Sequence, residues 1–312
     1  MRARAPVWSR GLCVAVAALP LIAPGLAAQS DSTATMRPAL RVCADPNNMP
    51  FSNRAGEGFE NHIARVLAGD LGETPAYTWW AQRRGFIRST LSAHQCDIVI
   101  GIVANADRVL TTRPYYRSTY VFVTRRDRGL VIRSFDDPRL RTLRIGLHVI
   151  GADYNSLPPG VALAQRGLVH NVVGYSIYGN YAAPSPPSAL IAAVGRGDVD
   201  VAIAWGPLAG YYARRSAVPL VVTPVATAIA GNGIPFVYDI AIGVRPGDQA
   251  FANRLAGILA RRRREIDRIL REYGVPTLTG PTGGAATEVH PTARGRGGVD
   301  VCVAHDGGRR CA

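Results

Sequence analysis

The sequence contains no lysine, and all 36 of its Lys and Arg residues are arginine. This absence excludes mechanisms that use lysine as a Schiff base or as a general base. The six histidines show no spacing with cysteine or carboxylate residues that is typical of a metal site. No GxSxG motif occurs, and the glycine pairs at 195–197 and 231–233 lack the strand-to-helix context of a nucleotide loop. We therefore predict no catalytic residue, no metal and no cofactor, and a protein that is not an enzyme.

Charge of one sign dominates, with a net charge of +14 at pH 7. A basic surface predicts an acidic protein, an anionic ligand or membrane headgroups as partner. Nucleic acid is not expected, because the arginines do not form a stripe interleaved with aromatic residues. The densest run is Arg261 to Arg264. A helix spreads four consecutive residues around its circumference, so most of this run must be solvated, and its functional interpretation is a docking surface for an acidic protein.

The N-terminal segment is typical of an export signal. Three arginines precede an apolar stretch at 11–24, which is broken by Pro20, and small residues ending at Ala28 offer a cleavage site. We predict a signal peptide at 1–28, a flexible segment at 29–39 and export of the mature chain. The apolar stretch is too short to span a bilayer and no later stretch is longer, so no membrane anchor is predicted.

Of the five cysteines, one lies in the predicted signal peptide, which leaves Cys43, Cys96, Cys302 and Cys311. An even number of cysteines in an oxidising compartment predicts disulfides. Cys43 lies in a predicted strand and Cys96 begins another, and adjacent parallel strands are about 5 Å apart, which suits a bridge. Of the three connectivities we favour Cys43–Cys96 with Cys302–Cys311. In the alternative, the second pair is incidental in a loosely ordered tail.

Short apolar strands alternate with amphipathic helices along the chain, which predicts an α/β fold. The predicted strands are at 40–44, 77–80, 97–103, 119–124, 143–148, 169–173, 199–205, 220–225 and 236–244, and the main predicted helices are at 59–71, 85–92, 188–195, from 207, and at 248–273. This order describes two α/β lobes joined by two crossover segments, as in a hinged ligand-binding protein.

The predicted boundaries follow from a charged loop at 125–129 and from the return of the chain. Lobe I comprises 40–125 plus 228–274, lobe II comprises 126–227, and 275–312 is a flexible C-terminal tail without periodicity.

Five segments resemble a known family: RVCADPNNMPFSNRAGEGFEN at 41–61, CDIVIG at 96–101, VLTTRPYYRSTYVFV at 109–123, GDVDVAIAWGPLAGYYA at 197–213 and RRREIDRILREYGVP at 262–276. Over roughly 40–273 the chain is similar to the type II periplasmic solute-binding proteins, and more narrowly to the MxaJ/XoxJ branch that accompanies methanol dehydrogenases. The resemblance implies a two-lobed type II periplasmic binding protein fold. It also implies an accessory protein of a PQQ-dependent alcohol dehydrogenase, assisting in its maturation or activation.

Candidate cleft residues lie at two places that precede or follow strands. Asp45, Asn48, Phe51 and Asn53 occupy the loop between a strand end and a helix, where open α/β sheets hold ligands. In the alternative, Asp45 and Asn48 only hydrogen-bond their own turn. Tyr115, Tyr116 and Arg117 precede the crossover strand, where relatives line the cleft; aromatic packing under a hinge is the other interpretation.

The charge partners of an amino-acid ligand are displaced or missing. Amino-acid-binding relatives hold the ligand carboxylate with an arginine before the Pro-Tyr motif; here that position falls near Asn105, with Arg108 close enough to take its place. They also place an acidic residue, which binds the ligand's ammonium group, at the end of a strand. In this chain the corresponding residue is Trp205, which could stack on a ligand or fill the cleft. Unpaired charges in a desolvated cleft are costly, so an ordinary amino-acid ligand is not predicted.

Two functions from different classes remain. The first is an accessory factor that acts on the dehydrogenase, and on its cytochrome c as a second candidate partner, through protein–protein interaction. The rival is a solute receptor of an ABC transporter for a small polar or anionic ligand. The residue at position 205 favours the first, because a receptor for amino acids would place a carboxylate there.

Overall fold

The computed structural model describes residues 38–150, 157–177, 185–226, 233 and 235–279, and the backbone of 303–305 and 308–310. The predicted signal peptide at 1–28, nearly all of the predicted flexible segment 29–39, and the predicted Cys302–Cys311 pair lie outside these residues. Within them, no helix combines the length and the apolar character that a membrane crossing needs.

Strands and helices alternate through most of the chain. The strands are β1 (Ala39–Ala44), β2 (Asn47–Asn48), β3 (Ser52–Asn53), β4 (Thr74–Trp79), β5 (Ile98–Val103), β6 (Leu110–Thr111), β7 (Tyr116–Arg125), β8 (Ile145–Val149), β9 (Val172–Ser176), β10 (Val201–Trp205), β11 (Leu220–Pro224), β12 (Val237–Val244), β13 (Val303–His305) and β14 (Gly308–Arg310). The helices are α1 (Phe59–Leu71), α2 (Phe86–Ser89), α3 (Pro158–Ala164), α4 (Ala189–Arg196), α5 (Gly206–Arg215), α6 (Gln249–Arg261) and α7 (Arg263–Glu272).

Ten of the strands form one sheet whose main path runs β4-β1-β5-β12-β7-β10-β8-β9, with β11 and β6 added at the side, while β2 pairs with β3 and β13 with β14. In lobe I, β4 and β5 are parallel to β1. In lobe II, β8 is parallel to β10 and to β9. The antiparallel strands β12 and β7 connect the two halves. This mixed α/β architecture is the type II periplasmic binding protein fold that the sequence predicts, and the prediction of fold class is confirmed.

The change from one lobe to the other takes place within a single strand. Residues 116–119 of β7 pair with β12, whereas residues 120–125 pair with β10 and β11. The sequence places the lobe boundary at 125/126, after this strand. A strand long enough to serve both halves of the sheet gives no sign in its own sequence of where its partner changes.

Each lobe has its own apolar core. In lobe I, α1, α6 and α7 pack on the sheet around Phe59, Ile63 and Leu255, which are fully buried. In lobe II, separate clusters cover the two faces of the sheet, one around Phe122 and Ile145 and the other around residues of α4 and α5. Burial on both faces explains why the lobe II strands have almost continuous apolar sequences.

The long helix predicted at 248–273 is two helices, so that prediction is wrong in its continuity. The break falls at Arg262, whose backbone leaves the helical region at φ −92° and ψ 12°. Arg261 and Arg262 both bind Asp70 at the end of α1, each at 2.8 Å. Residues of both α6 and α7 are buried in the lobe I core, and helical periodicity alone does not indicate the break between them.

The C-terminal boundary also differs from the sequence prediction of a flexible tail from 275. Val275 is buried in the lobe I core. The Ser118 hydroxyl donates to the Pro276 carbonyl at 2.6 Å, and the Leu278 amide donates to the Arg117 carbonyl at 2.9 Å. The packed chain therefore extends to Leu278, because these residues cover the strands that connect the lobes.

Candidate functional site

A cleft of about 590 Å³ lies between the lobes. Strand ends, the loop after β1 and the start of α3 and α5 contribute to its walls. The described residues that line it are Asp45, Asn47, Asn48, Phe51, Gln82, Gly101, Val103, Tyr116, Tyr120, His148, Ile150, Leu157, Pro158, Ile177, Pro187, Trp205, Leu208, Tyr238 and Ile240. This described lining contains no arginine and is mainly apolar and aromatic, although the chain as a whole is strongly basic.

Asp45 holds the loop at the lobe I side of the cleft. It is 3% exposed, and its two carboxylate oxygens accept hydrogen bonds from the backbone amide of Asn47 at 2.8 Å and from the backbone amide of Gln82 at 2.7 Å. The Asn48 side chain donates to the Gln82 side chain at 3.2 Å. Asp45 therefore organises its own turn, as one of the two sequence interpretations holds, and it also ties that turn to the segment after β4.

Aromatic rings form the wall where the lobes meet. Trp205 contacts Tyr120 and Tyr238 with ring centroids 5.5 and 5.8 Å apart, and both pairs are edge-to-face. Burial raises the pKa values of the Tyr120 and Tyr238 hydroxyls. These rings pack on one another at the base of the cleft, so Trp205 both fills space and lines the cavity, where an amino-acid receptor would present a carboxylate.

Glu60 lies in the first turn of α1, behind the cleft wall at Gly101. A Cβ atom on Gly101, whose φ is +79°, would stand 1.9 Å from a Glu60 carboxylate oxygen. Glu60 is half-buried, and its carboxyl group lies against Gly101. Burial in the first place, and the charge of Asp45 in the second, raise the pKa of Glu60 well above its ordinary value. The positive φ favours glycine at 101, and the missing Cβ atom leaves room for a carboxyl group that favours its neutral form.

The pH dependence of stability should reveal this carboxyl group. In the unfolded chain Glu60 titrates near 4.5, and in the folded chain at a higher pH. Its contribution to the free energy of unfolding is therefore fully present below pH 4.5 and is lost as pH rises through the folded-state pKa. Each pH unit between the two pKa values corresponds to about 1.4 kcal/mol. We expect Glu60→Gln to equal the wild type near pH 4 and to be more stable at pH 7 in urea unfolding. A gap that stayed constant with pH would contradict the raised pKa.

His148 is a polar residue in the lobe II wall of the cleft. It is 4% exposed, and its Nε2 atom lies 3.2 Å from the Pro187 carbonyl oxygen. Burial lowers the pKa of this imidazole to about 4. The ring is therefore neutral at pH 7, and the lobe II wall offers no cation to an anionic ligand among the residues described.

Four of the residues predicted for the cleft do not line it. The Asn53 side chain donates a hydrogen bond to the Glu57 carboxylate and accepts one from the Glu57 backbone amide. Arg108 is exposed, and its φ is +66°. Tyr115 is buried in the lobe I core, and Arg117 forms a bidentate pair with Asp239 at 2.7 and 2.6 Å. Asp45, Asn48, Phe51, Tyr116 and Trp205 do come together in the cleft.

Side-chain alternation along the strands explains both the displaced and the missed residues. Neighbours on a strand point to opposite faces, so Tyr116 and Arg117 could not both face the cleft. Tyr120 is four positions beyond Tyr116 on β7 and shares its face, and Tyr238 precedes Ile240 by two on β12. This two-residue period was the available signal. Which face of each strand meets the cleft is known only from the pairing of the lobes.

Direct protein contacts join the lobes along one side of the cleft. The Tyr212 hydroxyl of α5 donates to the Met49 carbonyl at 3.0 Å, and the Ser185 amide donates to the Asn47 side-chain oxygen at 3.1 Å. Phe51, from the lobe I loop, packs against the apolar clusters of both lobes. The loop after β1 thus contacts lobe II through three of its residues.

A second set of contacts, which we call the interlobe clasp, joins α5 of lobe II to the turn after α7 of lobe I. Gly210 packs so closely that a Cβ atom would stand 2.0 Å from the Gly274 carbonyl oxygen. Tyr211 stacks on Tyr273 with ring centroids 5.6 Å apart and planes at 13°. The Arg214 side chain donates to the Arg271 carbonyl at 2.7 Å. Backbone contact at a glycine pair fixes the distance between the lobes at this point.

No group of three or more His, Cys, Asp or Glu side chains that could hold a metal ion occurs among the described residues. The fold and the cleft define a two-lobed binding protein. Residues 40–276 match the family described as bacterial extracellular solute-binding proteins, family 3, and the chain belongs to this family.

Within the family the chain is similar to proteins of the MoxJ and XoxJ type, which confirms the resemblance seen in the sequence. It is 34% identical over 245 residues to Protein MoxJ of Methylorubrum extorquens, covering 77% of this chain and 81% of that protein. Identity to Protein MoxJ of Paracoccus denitrificans is 33% over 279 residues, covering 86% and 97%. The crystal structure of the periplasmic binding protein XoxJ from Methylobacterium extorquens AM1 matches with a TM-score of 0.64 and 36% identity, covering 77% of this chain and all of that one.

Proposed function

We propose that this protein is a periplasmic accessory factor of a PQQ-dependent methanol or alcohol dehydrogenase. It acts by protein–protein interaction in maturation or activation of that enzyme and is not itself an enzyme. The proposal rests on the similarity to MoxJ and XoxJ proteins together with the resemblance of the sequence to the dehydrogenase-associated branch.

The observation that carries the proposal is the chemistry of the cleft. Its described lining has aromatic rings and a neutral histidine, and it contains no arginine to bind the carboxylate of an amino acid. Position 205, at the strand end, is tryptophan and not a carboxylate. Transfer of a zwitterion from water into such a cleft would leave its carboxylate without a cation among the described lining residues, at a cost of several kcal/mol.

The contacts between the lobes support the same proposal. A solute receptor responds to its ligand by closing one lobe on the other about a hinge. Here α5 is already joined to lobe I through Met49 and through the interlobe clasp. Contacts of this kind between the lobes suit a protein that presents a constant surface to a partner.

Ligand-dependent thermal unfolding tests the receptor alternative. A receptor with a Kd of about 1 μM would gain about 4 kcal/mol of unfolding free energy from 1 mM ligand. We expect no rise in melting temperature with any of the twenty amino acids, with organic acids or with phosphate, each at about 1 mM. A rise of several degrees with one small anion would favour the receptor of an ABC transporter instead.

The function itself is tested by affinity capture of the mature protein from periplasmic extract, followed by mass spectrometry of bound proteins and small molecules. We expect a quinoprotein dehydrogenase, alone or with its cytochrome c, and no small molecule at equal molar ratio. Capture of a stoichiometric small molecule without a dehydrogenase would overturn the proposal.

A further inference from the structure

A basic and aromatic surface borders the cleft where β4 ends. Trp80 follows this strand and is 51% exposed, and Arg83, Arg84 and Arg88 on the following turn are exposed as well. No aspartate or glutamate occurs from residue 74 to residue 96. We call Trp80, Arg83, Arg84 and Arg88 the rim surface. It combines a large exposed ring with positive charge on either side of Gln82, which lines the cleft.

The rim surface is built on a fixed backbone. The Trp80 amide donates to the Ala44 carbonyl at 3.0 Å, and the Gln82 amide donates to the Asp45 carboxylate at 2.7 Å. Phe86, one turn further, is buried in the cluster that contains the Cys43–Cys96 disulfide. Because this backbone is anchored at both ends, a partner would spend little free energy on ordering it.

The charges of the rim surface differ from those of the arginine run at 261–264. In that run Arg261 and Arg262 share Asp70, and Arg263 pairs with Asp267 at 2.9 Å. Arg84 and Arg88, by contrast, form no ion pair with any residue that the structure describes. The run that the sequence singles out as a docking surface is therefore largely neutralised within the protein, whereas Arg84 and Arg88 of the rim surface carry charges that no described residue pairs.

We propose that the rim surface docks an acidic surface of the dehydrogenase at the mouth of the cleft. This inference rests on the proposed function and names the face that meets the partner. Arginine forks bind carboxylates with two parallel hydrogen bonds, and arginine with tryptophan is the composition of interface hot spots. Because the proposed function already requires a protein partner, we assign this surface to the dehydrogenase, and binding to an anionic membrane is an outcome of the test.

Binding of the mature chain to the purified holo-dehydrogenase of the same cell, measured at low and at physiological salt, tests the docking face. The test variant is Arg84→Glu/Arg88→Glu. The matched control is Arg133→Glu/Arg141→Glu, which reverses two exposed arginines of lobe II and changes the net charge equally. We expect the test variant to lose at least about tenfold in affinity and much of its salt dependence, and the control to lose less than about threefold. Trp80→Ala should also weaken binding, and that loss should persist at high salt.

Each other outcome has a separate meaning. If the wild type binds the dehydrogenase and the test variant binds equally well, the rim surface is rejected and the proposed function stands. Equal losses in test and control variants would assign the effect to net charge and also reject the rim surface. If the wild type binds vesicles with anionic headgroups through these arginines and leaves the dehydrogenase unbound, both proposals fail. Circular dichroism of each variant establishes that it is folded.

Discussion

Replacing both Cys43 and Cys96 by alanine is expected to lower the free energy of unfolding by about 4 kcal/mol. The disulfide joins residues 53 positions apart, and closing a loop of that length restricts the unfolded chain by about this amount. Both cysteines are buried, at 2% and 0% exposure, beside Phe86 and Leu91. The double variant avoids an unpaired thiol, and alanine leaves only a small void, so the cross-link supplies most of the difference.

Urea unfolding of the variant and of the wild type, each with and without reducing agent, measures this effect. Reduction should bring the wild type down to the stability of the variant and should leave the variant unchanged. A loss below about 1 kcal/mol would show that the reduced chain keeps the β1–β5 pairing in its unfolded ensemble. The disulfide would then contribute little to lobe I.

The Cys43–Cys96 pair shows what the sequence can predict. Cys43 lies in an alternating strand and Cys96 immediately before a continuous apolar run, so a parallel pairing of the two strands was enough to bring the sulfur atoms together. In the structure β1 pairs directly with β5, and the disulfide forms as predicted. The local sequence pattern and the rule that adjacent parallel strands pair are sufficient to predict a contact that lies within one sheet.

The cleft shows where the sequence stops being sufficient. Tyr120 and Tyr238 meet Trp205 because β7, β10 and β12 are neighbours in the connecting part of the sheet. Neither tyrosine carries a motif, and each would be equally plausible as core. Arg261 and Arg262 likewise find Asp70 about 190 residues away. Such contacts depend on how distant elements pack, and composition cannot supply that information.

Replacing Gly210 by alanine is expected to open the interlobe clasp at a cost of about 3 kcal/mol in unfolding free energy. The new methyl group would stand 2.0 Å from the Gly274 carbonyl oxygen, and that atom belongs to backbone and not to a flexible side chain. Helix α5 must then move away from the turn after α7. The Leu278 amide, which donates to Arg117 in the adjoining segment, should exchange with solvent faster as a result.

Gly69→Ala is the matched control, because Gly69 also lies in a helix but a Cβ atom there meets nothing within 4 Å. That substitution should be neutral or stabilising by up to about 1 kcal/mol, since alanine favours the helix. Unfolding in urea, hydrogen exchange and small-angle scattering of the three proteins separate the effects.

If Gly210→Ala is as stable and as compact as the wild type, the clasp does not hold the lobes. If it is destabilised and larger but still captures the dehydrogenase, the lobes are joined there for stability alone. If the clasp opens and the variant no longer captures the dehydrogenase, the partner recognises the spacing of the two lobes. The substitution lies away from the rim surface and leaves its charges unchanged, so a loss of those charges would not explain the result.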